Sequence, residues 1–231
     1  MVTDTSFEAD IVESKKANQA RIDVNIDGVK IVVPQGSNLD PEALIEDKRD
    51  WIKEKVEKYQ QHREKIPSRQ FKEGAEWPYL GERYELHLNE SNRCDLNSDK
   101  IILPRKKVKK NSIKDELEKF YRERARNRFK KLIDKWEETL NVRYNKIYIR
   151  NQRTKWGSCS DKGNISFNFR LMMAPPEISE YIVIHELCHL KHLSHGKKFY
   201  RELQHHCPNH SDHERWLEEN SVKLIFTQDD L

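Results

Sequence analysis

The stretch from His185 to His195 holds four histidines and one glutamate, and three of these histidines and the glutamate have a spacing that suits metal chemistry. It reads H-E-x-x-H-x5-H. Residues four apart share one face of a helix, so His185 and His189 can direct two imidazoles at one metal ion. Glu186 is the next residue after His185 and can reach a water molecule bound to that ion. A third protein ligand would leave the fourth tetrahedral position of a zinc ion open, as catalytic zinc sites require.

Two later histidines compete for the place of the third ligand. His192 lies seven residues after His185, which on an unbroken helix is about 10 Å along the axis and too far for one shared ion. His195 faces away if the helix continues, and it returns to the metal only if the helix ends near residues 193–194. Gly196 would permit that reversal. We therefore predict His195 as the third ligand of one zinc ion (Zn2+) per chain.

The helix that carries the motif is predicted to begin at Pro175-Pro176. Proline is favoured in the first turn of a helix, and Glu177 follows where the helix dipole favours an acidic residue. The side predicted to be buried is apolar and contains Ile178, Tyr181, Ile182 and Ile184.

The first third of the chain reads mainly as strands followed by one helix. Residues 22–26 and 29–33 alternate around Asp27-Gly28, which predicts a hairpin with a two-residue turn. A helix is predicted to begin at Asp40-Pro41 and to end near Ile66-Pro67. Further strands are expected at 84–88 and 101–103.

Helices and one more hairpin are predicted for the rest of the chain. The basic residues 105–110 are expected to form a loop, and a long helix follows from Ser112 to about Leu140, where apolar residues recur at helical spacing. Residues 144–149 and 165–169 are predicted to pair as a hairpin. The last helices are expected over 197–206 and 213–224.

Composition describes a heavily charged chain with a small apolar fraction. Of its 231 residues, 35% are charged and 35% hydrophobic, and the mean hydropathy is −0.98. No apolar run is long enough to cross a membrane, and the acidic N-terminus lacks the features of a signal peptide. We therefore expect a cytoplasmic protein whose four scattered cysteines are free thiols.

Positive charge is concentrated between Arg105 and Lys131. This segment holds 13 Lys and Arg against 4 Asp and Glu, a net charge of +9, whereas the whole chain carries +4. Such asymmetry indicates either a polyanionic partner or a solvated helix face. On the first interpretation, we predict weak binding to DNA or nucleotides through Lys106, Lys107, Lys109, Lys110, Arg122 and Arg126.

Several further segments resemble a known family when they are taken together with the histidine motif. They are Trp156-Gly157-Ser158-Cys159-Ser160, Gly163-Asn164-Ile165-Ser166, Ala174-Pro175-Pro176, His185-Glu186-Leu187-Cys188-His189 and Arg215-Trp216-Leu217. In this order they resemble the YgjP-like metallopeptidase family, which is related to the SprT-like and WLM zinc peptidases. The resemblance covers nearly the whole chain and is strongest over 147–216. One departure is Phe169, where tryptophan is frequent in this family.

The resemblance implies an α+β fold with a zincin-like metallopeptidase domain, preceded by a β-rich N-terminal region with one helix. It implies zinc on His185, His189 and His195, with Glu186 as the catalytic acid and base. We predict a β-rich region over 1–104 and a catalytic region over 105–231, with one continuous domain as the alternative. One branch of the family carries a nucleoside-triphosphate pyrophosphatase assignment.

These observations favour a zinc-dependent hydrolase, and a metallopeptidase above all. A zinc-bound water activated by Glu186 would attack the peptide carbonyl of a protein or peptide substrate. The strand 164–169 could offer an edge to an extended peptide, and the candidate substrate-binding residues are Asn164, Asn168, Arg170, Tyr181 and His213. The alternatives are a metal-dependent nucleoside-triphosphate (UTP-type) pyrophosphatase and a DNA-associated module with structural zinc.

Overall fold

The computed structural model describes residues 2–4, 7–15, 17–25, 28–37, 39–64, 67–227 and 230. The chain forms two compact units, Met1–Pro67 and Ser68–Asp230. Residues 68–104, which the sequence analysis places with the N-terminal region, lie in the second unit because their strands share its apolar core. A functional boundary at 104/105 stays a prediction.

The N-terminal unit is a four-stranded sheet with two helical segments. Its strands run in the order β1-β2-β4-β3, and β2 and β4 pair in parallel. The predicted hairpin is present as β3 and β4, which pair antiparallel. Of its two predicted turn residues, Gly28 begins β4 opposite Asn25, and Asp27 lies outside the described residues. The elements are β1 (Val2–Asp4), β2 (Phe7–Ser14), β3 (Arg21–Asn25), β4 (Gly28–Pro34), α1 (Pro41–Asp47) and α2 (Arg49–Glu64).

One helix was predicted for this region, but the structure has two, because the helical conformation is interrupted at Lys48, the C-cap of α1. The Asp40 side chain accepts a hydrogen bond from the Glu42 amide and so caps α1, as the Asp-Pro signal indicates. Ile45 of α1 and Ile52 of α2 close a small apolar core over the sheet. The predicted helix end at Ile66 lies outside the described residues.

The second unit begins by repeating the strand order of the first. Its strands follow the order β5-β6-β8-β7, again with a parallel central pair and antiparallel outer pairs, and two helical segments follow. Sequence analysis detected no internal repeat here, because the shared feature is topology rather than residue pattern. The elements are β5 (Glu76–Tyr79), β6 (Glu82–Asn89), β7 (Asp95–Leu96), β8 (Lys100–Pro104), α3 (Arg105–Lys110) and α4 (Ile113–Thr139).

The long helix α4 is the central support of this unit. Ser112 caps it by accepting a hydrogen bond from the Asp115 amide, and its predicted apolar stripe is buried through Phe120, Phe129 and Ile133. The expectation of a basic loop before it is wrong, because Arg105–Lys110 forms the short helix α3.

A three-stranded sheet precedes the motif helix, in the order β10-β11-β9. The predicted hairpin of 144–149 with 165–169 is wrong: β9 (Lys146–Arg150) and β11 (Asn164–Asn168) pair in parallel. The hairpin partner of β11 is β10 (Gly157–Cys159), which the sequence analysis missed. Six residues between β9 and β10 let the chain cross over, so β10 becomes an edge strand.

Helices complete the unit. A 3-10 segment, Phe169–Met173, leads into α5 (Pro176–Cys188), and α6 (Lys197–His206) and α7 (His210–Asn220) follow before a second 3-10 segment, Ser221–Leu224. The architecture is therefore α+β, as predicted. Among the residues described, no helix combines the length and the apolar character needed to span a membrane.

Candidate metal centre

Helix α5 is held in place by polar side chains of α4. The Arg128 guanidinium donates to the Pro176 carbonyl at 2.9 Å and to the Ser179 hydroxyl at 2.8 Å, which fixes the first turn of α5. Lys135 and Trp136 each donate to the Glu180 carboxylate at 2.7 Å. Almost every other side chain of α5 is apolar and buried, so its polar residues are placed by a rigid support.

The chain reverses directly after this helix. Helix α5 ends at Cys188 and not near residues 193–194, and His189 occupies the C-cap position. The His189 Nδ1 atom lies 2.9 Å from the His192 carbonyl oxygen, which fixes that imidazole. Gly196 has φ −87°, so the reversal does not depend on the left-handed glycine conformation that was predicted there.

Three imidazoles converge at this reversal. The Nε2 atom of His195 lies 3.1 Å from that of His185 and 3.0 Å from that of His189. One ring nitrogen from each residue lies within 4.8 Å of the others, and no other such group of donors is found in the described part of the chain. Nitrogen ligands of a tetrahedral zinc ion lie about 3.3–3.4 Å apart, given Zn–N bonds of about 2.0–2.1 Å. The donor set therefore fits a small divalent metal ion.

The histidine that competes for the third position points elsewhere. The His192 Nε2 atom lies 3.9 Å from the Glu202 carboxylate, to which Lys191 also donates at 2.7 Å. His192 supports the cluster through its backbone carbonyl instead.

Burial favours the neutral form of His185 and His189, which is the form that metals require. Burial, followed by the neighbouring His189 and His195, lowers the pKa of His185 to about 3. Burial also lowers the pKa of His189, while its hydrogen bond with the His192 carbonyl opposes that change. Neutral imidazole offers a lone pair to a metal ion, whereas imidazolium offers none.

Phe199 packs against all three imidazole rings. The sequence analysis did not identify it as a site residue. Its side chain is fully buried, with ring centroids 5.0 Å from His185, 4.6 Å from His189 and 4.8 Å from His195. The usable signal was its place on α6, four residues after His195. Phe199 limits the positions that the imidazoles can take.

Glu186 follows His185 on α5 and is not a member of the donor cluster. Glu186 is only 4% exposed, and its Oε2 atom is buried without a hydrogen-bond partner among the described residues. Burial raises the pKa of Glu186 to about 8, with Lys155 acting in the opposite direction. Its other side faces strand β10, where burial and the charge of Glu186 raise the pKa of Cys159 to about 11. The Cys159 thiol is therefore a poor nucleophile.

Two of the candidate substrate-binding residues are buried behind the site. Asn168 donates to the Gln152 carbonyl at 2.8 Å and the Lys155 carbonyl at 3.2 Å. Arg170 donates to the Gln152 carbonyl at 2.7 Å, and its guanidinium lies 5.1 Å from the centre of the Trp156 ring system. Both side chains hold the loop before β10, so they can influence a substrate only through that loop.

The other candidates lie nearer to the surface or to the imidazoles. The Tyr181 ring lies between His185 and His213, at centroid distances of 5.9 and 5.7 Å. Asn164 begins β11, and its Oδ1 atom is buried with no partner in the described part of the chain. Tyr200 was not among these candidates; it is 41% exposed, and its ring centroid lies 6.2 Å from that of His195.

The basic segment divides into structural and exposed charges. Arg122 donates to Glu118 at 2.6 Å and to the Ile149 carbonyl at 3.1 Å, and its guanidinium lies 4.8 Å from the centre of the Phe169 ring, so its charge has partners within the protein. Of the residues predicted to bind nucleic acid, Lys106, Lys107, Lys109, Lys110 and Arg126 are exposed. Their binding to DNA or nucleotides stays a prediction.

Comparisons with known proteins place the chain in a family. No curated protein matches the chain. The metallopeptidase zymogen abylysin of Pyrococcus abyssi is 24% identical with a TM-score of 0.36, over 38% of this chain and 91% of its own. The metallopeptidase zymogen jannalysin of Methanocaldococcus jannaschii is 27% identical with a TM-score of 0.36, over 42% of this chain and 90% of its own. The model of the YgjP-like metallopeptidase domain matches residues 18–220, which is most of the chain, and the protein therefore belongs to the YgjP-like metallopeptidase family.

Proposed function

We propose that this protein is a zinc metallopeptidase in which Glu186 activates a water molecule for attack on a peptide carbonyl. The observation that carries the proposal is the convergence of three imidazoles at the end of α5, where Glu186, the residue after His185, has a buried carboxylate oxygen without a hydrogen-bond partner among the described residues. Three protein nitrogens leave a coordination position for water or substrate, whereas a fourth protein ligand would close it.

His185, His189 and His195 would hold the metal. When bound, zinc supplies a Lewis acid for the carbonyl oxygen and lowers the pKa of a bound water to about 7. Phe199 stacks on the His189 ring and the His192 carbonyl contacts its Nδ1 atom, so together they keep that imidazole oriented.

Glu186 would move the proton. It follows His185 on α5, and its carboxylate is an acceptor without a protein partner among the described residues. In this position it would take a proton from the attacking water and deliver it to the leaving amine. The released products are then a carboxylate and a free amine.

Strand β10 is the edge on which we place an extended peptide. The sequence-based suggestion that β11 offers an edge is wrong, because β11 is bonded on both sides, by β9 and by β10. Within the described sheet only β11 pairs with β10, so one side of its backbone is available for main-chain hydrogen bonds. A peptide added there would pass beside Glu186, which faces Gly157.

The test combines metal analysis with turnover. Wild type should contain about one zinc per chain and hydrolyse casein, and Glu186→Gln should keep the metal while turnover falls by at least about 100-fold. His195→Ala should lose zinc far more readily than His192→Ala, which leaves the backbone carbonyl in place. Full turnover by zinc-loaded Glu186→Gln, or hydrolysis of UTP without hydrolysis of casein, would refute the proposal.

A further inference from the structure

Gly157 leaves no room for a side chain because Glu186 occupies the space. A Cβ atom at position 157 would lie 2.4 Å from Glu186 Oε1, 2.7 Å from its Cγ and 2.8 Å from its Cδ. Moving the carboxylate oxygen alone would not relieve the overlap with Cγ. The whole side chain would have to rotate away from its present place.

The glycine is not needed for its backbone conformation. Gly157 lies in an ordinary antiparallel pair with Phe167, and its φ is outside the left-handed region that favours glycine. Alanine could adopt the same backbone, and residues with side chains are generally favoured over glycine in strands. The steric reason for glycine at this position is therefore Glu186.

Hydrogen bonds from Asn168 and Arg170 fix the segment that precedes Gly157. The Asn168 amide donates to the Trp156 carbonyl at 2.9 Å, and the side chains of Asn168 and Arg170 hold the carbonyls of residues 152 and 155. Both residues are buried. Strand β10 therefore cannot move back easily to accept a side chain at position 157.

We propose that Gly157 is a positioning residue: because it has no side chain, it leaves the space in which the Glu186 side chain takes its present rotamer. The proposal rests on the proposed function, since it assigns to Gly157 the placement of the proton-transferring carboxylate. The three atoms nearest to a Cβ at position 157 all belong to Glu186, so we expect Gly157 to act on proton transfer rather than on metal binding.

A double-mutant cycle tests the proposal, with Gly157→Ala, Glu186→Ala and the double variant compared with wild type. In the wild-type background, Gly157→Ala should lower kcat by about 100-fold, as expected for a displaced catalytic group, with a smaller change in KM and with zinc retained. In the Glu186→Ala background, the same substitution should cause no further loss, because the carboxylate it displaces is absent.

Melting temperature provides a readout that is independent of activity. Gly157→Ala should lower the melting temperature of the wild type, since a buried side chain must move. In the Glu186→Ala background it should leave the temperature unchanged or raise it, because alanine restricts the unfolded chain more than glycine does. If Gly157 had only a general structural role, the substitution would lower the melting temperature in both backgrounds.

Equal effects of Gly157→Ala in both backgrounds, on melting temperature and on residual turnover, would overturn the proposal. If Gly157→Ala fails to fold, a soluble double variant supports the contact and an insoluble one refutes it. If wild type shows no peptide hydrolysis, the proposed function fails, while the melting temperatures still decide whether Gly157 and Glu186 are coupled.

Discussion

Truncation of Phe199 should weaken the metal centre without removing any ligand. The ring is fully buried and lies within 5.0 Å, between centroids, of all three imidazoles. Phe199→Ala should lower the free energy of unfolding by about 3–5 kcal/mol through the lost burial and the cavity. The imidazoles would also gain freedom, and loss of such support typically reduces metal affinity by about 10–100-fold. That reduction corresponds to about 1.4–2.8 kcal/mol of zinc-linked stability.

Leu203→Ala is the matched control, because Leu203 is a buried apolar residue on the same helix. It should also lower stability by about 2–5 kcal/mol, but the stability gained on adding zinc should stay at the wild-type value. Urea unfolding with excess zinc and with EDTA measures this gain for each variant. An equal zinc-dependent gain in both variants would refute the role assigned to Phe199.

Two further predictions concern the support of helix α5 and the basic segment. Glu180→Ala should lower stability by about 1–3 kcal/mol, because it leaves the Trp136 indole without its acceptor. Burial raises the pKa of Glu180, but the hydrogen bonds from Lys135 and Trp136 outweigh it and bring the pKa below the ordinary 4.5. The contribution is thus present above that value and is lost as the pH falls through the lowered pKa, so urea unfolding of wild type and variant should converge in acid. Arg122→Ala should lower stability by about 1–3 kcal/mol, since it leaves Glu118 and the Ile149 carbonyl unpaired, while Arg126→Ala on the exposed side should change it by less than about 0.5 kcal/mol. Equal thermal shifts for the two arginine variants would contradict this division.

Sequence alone was sufficient where a feature depends on a short, regular repeat. The placement of His185 and Glu186 on one helix, with His189 at its C-cap, follows from the four-residue spacing and from Pro176 at its start. The buried stripe of α4 and its Ser112 cap were predictable for the same reason. The pairing of β3 with β4 was predictable because the connection is only two residues long.

The tertiary structure decided which distant segments meet. The spacing allowed His195 to reach the imidazoles but misplaced the end of α5, because the reversal depends on the His192 carbonyl and on packing against Phe199. The parallel pairing of β9 with β11 follows from a crossover that no alternation pattern reveals.

Side-chain roles also depended on long-range contacts. Asn168 and Arg170 carry polar groups typical of a substrate site, yet they are buried and hold the loop before β10. Glycine within a strand often marks close backbone approach, but strand β10 was not predicted, so the sequence analysis assigned Gly157 neither that role nor a partner. Spacing along the chain determines local geometry, whereas contacts across tens of residues are set by how the whole core packs, and that packing alone places Glu186 against Gly157.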